Sequence, residues 1–181
     1  MDVPANAWYA SYVNKAAALG LMSGVGENRF DPTATTNRAM VVQVLYSMSG
    51  SPDVTAFNHP FADVSNNQWY AKAIQWAYTN KITSGISATA FGVNNAVTRE
   101  QIATFLYSYA GKPAVTGNLD AFKDGAKVSS WAKDAVIWAT QSGILSGYPN
   151  ADGTRSLNPT GSATRAEFAT MIVSFNDLLA K

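Results

Sequence analysis

The chain has 181 residues, 47% of them apolar and 12% aromatic, with only 14% charged. That is ample for a folded domain and excludes disorder. Thirteen lysines and arginines against twelve acids leave a net charge of +1, so no bulk field recruits nucleic acid or an anionic membrane. There is no cysteine and one histidine, His59, which excludes disulfide scaffolds, zinc–thiolate sites and thiol catalysis and disfavours histidine-based triads and metal sites. No apolar run approaches the roughly 18 residues of a membrane-spanning helix, and the opening Met1-Asp2-Val3 does not read as a signal peptide.

One unit occurs three times along the chain. Trp8, Trp69 and Trp131 are spaced by 61 and 62 residues, as are Gly24, Gly85 and Gly147. Arg38, Arg99 and Arg165 follow at 61 and 66, the extra residues lying in the loop after Gly147. The connector Gly50-Ser51-Pro52 returns as Gly111-Lys112-Pro113. The copies are assigned to residues 1–55, 56–116 and 117–181. Each opens on an aspartate: Asp2, then Asp63 in Phe61-Ala62-Asp63-Val64, then Asp124 in Phe122-Lys123-Asp124. The matching phenylalanine of the first copy would precede Met1, so the chain is expected to start inside a motif and to come from a longer parent.

Two helices are expected in each copy. The first has a cap-type residue (Asn6, Asn67 or Ser129) two positions before the tryptophan, and an apolar stripe such as Trp69, Ala73, Ile74, Ala77. It should stop near Gly20, Lys81 and Gly143; lysine is strained in a left-handed cap, so the second copy is expected to end differently. A glycine-containing loop follows, with an apolar plug at Phe30, Phe91 and Leu157. The second helix repeats apolar residues at i, i+3, i+4 and i+7: Val41, Val44, Leu45, Met48; Ile102, Phe105, Leu106, Tyr109; Phe168, Met171, Ile172, Phe175. No copy sustains two-residue alternation, so the class is all-α. Two short helices cannot close a core alone, but three copies can share one, either as a closed three-fold arrangement or as a short open solenoid.

The second helices begin with capping boxes at Thr98-Arg99-Glu100-Gln101 and Thr164-Arg165-Ala166-Glu167. Capping explains the threonine and the acid but not Arg38, Arg99 and Arg165, which sit at the positive end of a helix. A guanidinium beside helix N-terminal amides suits an anion; an internal salt bridge to Asp2, Asp63 or Asp124 is the competing explanation. Tryptophan early in an amphipathic helix is most often core, and it is also a platform for the apolar face of a sugar ring. Gly24, Gly85 and Gly147, each preceded by serine, fit either a turn or a close ligand approach. Asn150-Ala151-Asp152-Gly153 lacks the remaining ligands of a calcium loop, and the repeating acids offer no matched pair for glycoside hydrolysis. No enzyme activity, metal or cofactor is expected.

The Phe-x-Asp-Val opening, the tryptophan at the first helix, the glycine-containing loop and the Thr-Arg-Ala-Glu-type second helix together resemble S-layer homology domains, in three tandem copies over essentially the whole chain. The resemblance implies three pseudo-symmetric helix-loop-helix repeats closed into a three-prong spindle around a central helical bundle. It implies a non-catalytic module at the bacterial cell surface that binds secondary cell-wall polysaccharide, commonly pyruvylated N-acetylmannosamine, in grooves between copies. By the same resemblance Arg38, Arg99 and Arg165 would hold the ketal carboxylate, and Asp2, Asp63, Asp124, Trp8, Trp69, Trp131, Gly24, Gly85 and Gly147 would line the grooves. A monomeric fragment of a larger exported surface protein is expected, with no membrane insertion. A protein–protein scaffold in the cell envelope is the competing function. Thr-Arg-Ala-Glu stands intact only at Thr164–Glu167; the second copy has Thr-Arg-Glu-Gln and the first Asn37-Arg38-Ala39-Met40. The three grooves are therefore expected to bind unequally.

Overall fold

The computed structural model describes residues 2–181; Met1, where the first copy begins, lies outside the described residues. Six α-helices occur in chain order: α1 Ala10–Ala18, α2 Arg38–Met48, α3 Ala71–Thr79, α4 Arg99–Tyr109, α5 Lys133–Gln141 and α6 Arg165–Leu179. The sequence pattern accounts for the second helix of each copy. Asn37 caps α2 through its side chain, and complete capping boxes start α4 at Thr98/Gln101 and α6 at Thr164/Glu167. Their stripes form the core, with Val41, Leu45, Ile102, Leu106, Phe168, Met171 and Ile172 at most 1% exposed. Phe30, Phe91 and Leu157 are buried as plugs at 2%, 0% and 1% exposure.

The first helix of each copy differs from expectation at its start. Helices α1, α3 and α5 begin after Trp8, Trp69 and Trp131, and none has a side-chain cap. Asn6, Asn67 and Ser129 therefore do not cap them. The helices instead grow from backbone turns, with Ala10 N–H donating to Ala7 and Ala71 N–H to Gln68. Trp8, Trp69 and Trp131 consequently leave the apolar stripe and stand 61%, 58% and 58% exposed. The second copy also ends its first helix as the others do: Lys81 adopts φ +58°, beside +67° at Gly20 and +73° at Gly143. The left-handed turn is imposed by the packing of the following segment, Ile82 N–H returning to the Ala77 carbonyl as Leu21 does to Ala16.

Packing closes the ring. The first helix of each copy lies on the second helix of the copy before it: α3 on α2, α5 on α4, and α1 on α6. These are three prongs, and the last joins the two ends of the chain. At the pseudo-three-fold axis the segments preceding α2, α4 and α6 bond in a circle. Thr36 N–H donates to Ala163, Ala163 N–H to Val97 and Val97 N–H to Thr36, at 2.9, 2.8 and 3.0 Å. An open solenoid cannot make this cycle, so the closed arrangement is the observed one. Outside the helices, a two-residue hairpin pairs Tyr148–Pro149 with Arg155–Ser156 in the longer loop of the third copy. No helix among the described residues is long and apolar enough to cross a membrane.

Candidate glycan-binding grooves

The repeated aspartate and arginine converge on the plug. In the second copy the Phe91 N–H donates to Asp63 Oδ1 at 2.8 Å, while the Phe91 carbonyl accepts from Arg38 Nε of the first copy at 2.9 Å. Phe30 is held likewise between Asp2 (2.7 Å) and Arg165 (2.8 Å), and Leu157 between Asp124 (2.7 Å) and Arg99 (2.8 Å). Each clamp spans two copies. The arginine thus has a structural task that capping did not reveal, and it is done through a peptide group rather than by direct pairing with the aspartate.

The helix N-terminal amides are likewise engaged within the fold. Arg38, Arg99 and Arg165 N–H donate to the carbonyls of Asn95, Gly161 and Ala34, and the amides of Ala39, Glu100 and Ala166 to Val93, Pro159 and Pro32. Only guanidinium groups are left to meet an anion. The three aspartates are also acceptors of backbone N–H groups. For Asp63, burial pushes its pKa up, but N–H donation from Phe91, Gly92 and Val93 outweighs this and holds it below 3.8.

Beyond Nε the three arginines diverge, although each is only 5–7% exposed. Arg38 lies against the Phe91 and Phe105 rings at 4.9 and 5.1 Å, and among the described residues neither of its Nη atoms has a protein hydrogen-bond partner. Burial lowers its pKa to about 10, partly opposed by Asp63. Arg165 gives one Nη to the Ser23 carbonyl at 2.8 Å. Arg99 is enclosed: Nη1 pairs with Glu167 at 3.3 Å, and the Tyr148 ring covers the guanidinium at 4.5 Å.

A groove of about 980 Å³ opens at Arg38. Arg38 of the first copy, Gly85 of the second and Trp131 of the third share its wall, together with Gln101 and Phe105 of α4. Repetition relates Arg165, Gly24 and Trp69 in the same way, and Arg99, Gly147 and Trp8. Asp63 is not on the wall; it stands behind, setting the plug that sets the arginine. Gly85 is required by a turn as well, since a Cβ there would meet the Ala90 carbonyl and the Phe61 ring. Of the other residues on this wall, Gln101 is read in the sequence only as a cap, and Lys81 and Lys112 carry no site assignment there; the signal is Lys81 in the register of Gly20 and Gly143.

A model of the S-layer homology domain matches residues 2–39, 60–103 and 121–169, more than half of the chain. The chain belongs to the S-layer homology domain family. Similar proteins include the surface-layer 125 kDa protein of Lysinibacillus sphaericus, 32% identical over 83% of this chain and 12% of that protein. Exoglucanase XynX of Acetivibrio thermocellus is 30% identical over 91% of this chain and 15% of its own length. Among solved structures, the undecaheme cytochrome from the S-layer of Carboxydothermus ferrireducens matches 80% of this chain and 22% of that one, with 24% identity and a TM-score of 0.42. The chain spans less than a fifth of the curated relatives it matches first. It is a module of extracellular, cell-surface proteins, the non-catalytic part by which such proteins are anchored to the cell wall.

Proposed function

We propose that this S-layer homology module holds its parent protein to secondary cell-wall polysaccharide by recognising an anionic sugar of the pyruvylated N-acetylmannosamine type, and that the groove at Arg38 is the main site. The observation that carries this is a buried guanidinium with both Nη atoms open to a groove whose wall has no carboxylate. Desolvation of the cation is costly and Asp63 offsets it only in part, as the lowered pKa of Arg38 expresses; an anion bound at the open Nη atoms offsets it further. A ketal carboxylate supplies the charge, its methyl group meets Phe105, and the exposed Trp131 indole offers a face and an N–H to a sugar ring. Gly85 admits the ligand to backbone.

The second site in this reading is the Arg165 groove with Gly24 and Trp69, where one Nη is already engaged. The Arg99 groove with Gly147 and Trp8 is the weakest, its cation neutralised by Glu167. Asp2, Asp63 and Asp124 act through the plugs. A polymer that repeats its epitope gains from even two unequal grooves, because the second contact is nearly intramolecular and raises avidity roughly 10²–10⁴-fold.

Calorimetric titration with purified secondary cell-wall polysaccharide, native and depyruvylated, tests this. Saturable heat with the native glycan that vanishes on ketal removal and falls in Arg38→Gln is the expected result. Because Arg38 also holds Phe91, the variant must retain a cooperative thermal transition. Undiminished binding by a folded Arg38→Gln protein, or by depyruvylated glycan, refutes the assignment.

A further inference from the structure

The groove at Arg38 is longer than one charged sugar needs. Gln101 and Ser108 both lie on its wall, seven residues apart on α4 and so about 10 Å along the helix axis. Arg38 and Gln101 mark the end at the start of α4. The same wall carries Lys112, just past the far end of α4, and Lys81, just past α3, with Thr79 and Asn58. Neither lysine is in a salt bridge among the described residues. The chain as a whole is almost neutral, yet this one cleft gathers three unpaired cations and no acid, which focuses positive potential along it.

The two lysines are particular to this groove. The first copy has Gly20 and Ser51 at the corresponding positions, and the third has Gly143 and Leu178, the latter within the longer α6. A helix C-terminus favours a cation, which accounts for a lysine at either place taken singly. It does not account for both lining one cleft, nor for Lys81 at φ +58°, where the other two copies have glycine, which adopts this conformation freely as lysine does not.

We infer that this groove has a second anion subsite, in which Lys81 and Lys112 bind an acidic group one sugar removed from the one at Arg38, so that its ligand is a dianionic stretch of polysaccharide. This rests on the glycan reading above. The subsite's ligand is a carboxylate or phosphate, since both lysines are exposed point charges without the fork geometry that selects one planar anion. It gives the groove a direction along the polymer: the first acid at Arg38, the second toward the C-terminal ends of α3 and α4.

Three synthetic disaccharides test it by titration calorimetry. Each carries N-acetylmannosamine ketalised with pyruvate, joined to glucose, to glucuronate or to glucose phosphate. The native protein is expected to bind one or both dianionic probes about five- to ten-fold more tightly than the glucose probe, the sum of two exposed ion pairs. Lys81→Gly with Lys112→Ser, the residues of the first copy, should erase that preference while lowering the affinity for the glucose probe only about two-fold, through the weaker field of the cleft. The replacement at Lys81 relieves the left-handed strain, so the variant folds. Equal affinity of the native protein for all three probes, or a preference that survives the double substitution, overturns the second subsite alone. Failure of all three to bind overturns the glycan reading together with it. Whether glucuronate or the phosphate binds more tightly identifies the second acid.

Discussion

Arg38 and Arg99 occupy the same place in successive copies, start equivalent helices, donate Nε to equivalent plugs and are almost equally buried. One keeps two free Nη atoms facing an open groove; the other is enclosed by Glu167 and Tyr148. The difference comes from the last residue of the capping motif, which varies between copies, and from Tyr148 in the longer loop of the third copy. At the third position of the following helix stands Gln101 in one case and Glu167 in the other, and both satisfy the capping box equally well. For the helix the two are interchangeable, but for the guanidinium beside them they are opposite: a neutral amide leaves the cation free for a ligand, and a carboxylate supplies the anion in advance. A repeated residue therefore specifies a repeated structural role without specifying a repeated binding role.

Breaking the closed side gives the largest effect. Arg99→Ala removes the donor to Leu157 and leaves Glu167 without its ion-pair partner in a nearly buried site, which is expected to cost about 3–5 kcal/mol. Denaturant unfolding should show that loss, while wall-glycan affinity in the native baseline changes less than two-fold. Arg38→Gln reverses the pattern, with a smaller fall in stability and at least a ten-fold fall in affinity, about 1.4 kcal/mol. If the two variants lose affinity equally, the grooves are equivalent and the comparison fails.

Glu167→Gln sharpens the comparison by making the third copy resemble the second. The capping box survives, Arg99 loses its counter-charge, and a gain in glycan stoichiometry or avidity is expected in calorimetry. The magnitude is limited by the Tyr148 ring, so Tyr148→Ala in the same background should increase it further. No change in either variant would mean that the charge of Glu167 does not close the groove.

Acid tests the aspartates that stand behind the Arg165 and Arg38 grooves, Asp2 and Asp63. The N–H of Phe30 is the main cause of a depressed pKa at Asp2; at Asp63 burial raises it and three backbone donors overcome that. Both carboxyls therefore favour the ionised form more when folded than when unfolded. Their contribution is complete above the ordinary value of 3.8 and is lost as pH falls below it through the lower folded values. Melting temperature should be insensitive to these groups from neutrality to about pH 5 and should drop steeply below about pH 4, with a shallower drop in Asp63→Asn. The smallest effect is at the axis. Thr36 is fully buried and its hydroxyl has no partner among the described residues, whereas its counterparts are Val97 and Ala163. Thr36→Val should raise stability by up to about 1 kcal/mol, measurable by denaturant unfolding.

The helix faces, both capping boxes and the plugs were legible in the sequence because they depend on residues within a few positions of one another. The clamps were not, because Arg38 reaches Phe91 across 53 residues and the link runs through a carbonyl, which has no letter of its own. The tryptophans misled for a related reason. Trp69 has the right spacing for the stripe of α3, but the helix begins after it, and periodicity cannot see where a turn tilts the chain. Lys81 was visible as an anomaly, a lysine where two copies have glycine. Its meaning required the fold, which sets it on the same wall as Lys112 and Arg38.

Two of the three prongs are stitched by covalent connectors, from α2 to α3 and from α4 to α5, whereas α1 meets α6 through side chains alone, with Lys15–Asp177 at 2.7 Å on the surface. Under tension the ring accordingly has one seam. Force applied to the two ends is expected to load the α1–α6 contact together with the backbone bonds of Arg165 to Ala34, Ala166 to Pro32 and Thr36 to Ala163, beside which lies the Phe30 plug held by Asp2 and Arg165. The Arg165 groove, which lies at this seam, is therefore expected to weaken under load before the Arg38 groove, which lies between stitched prongs.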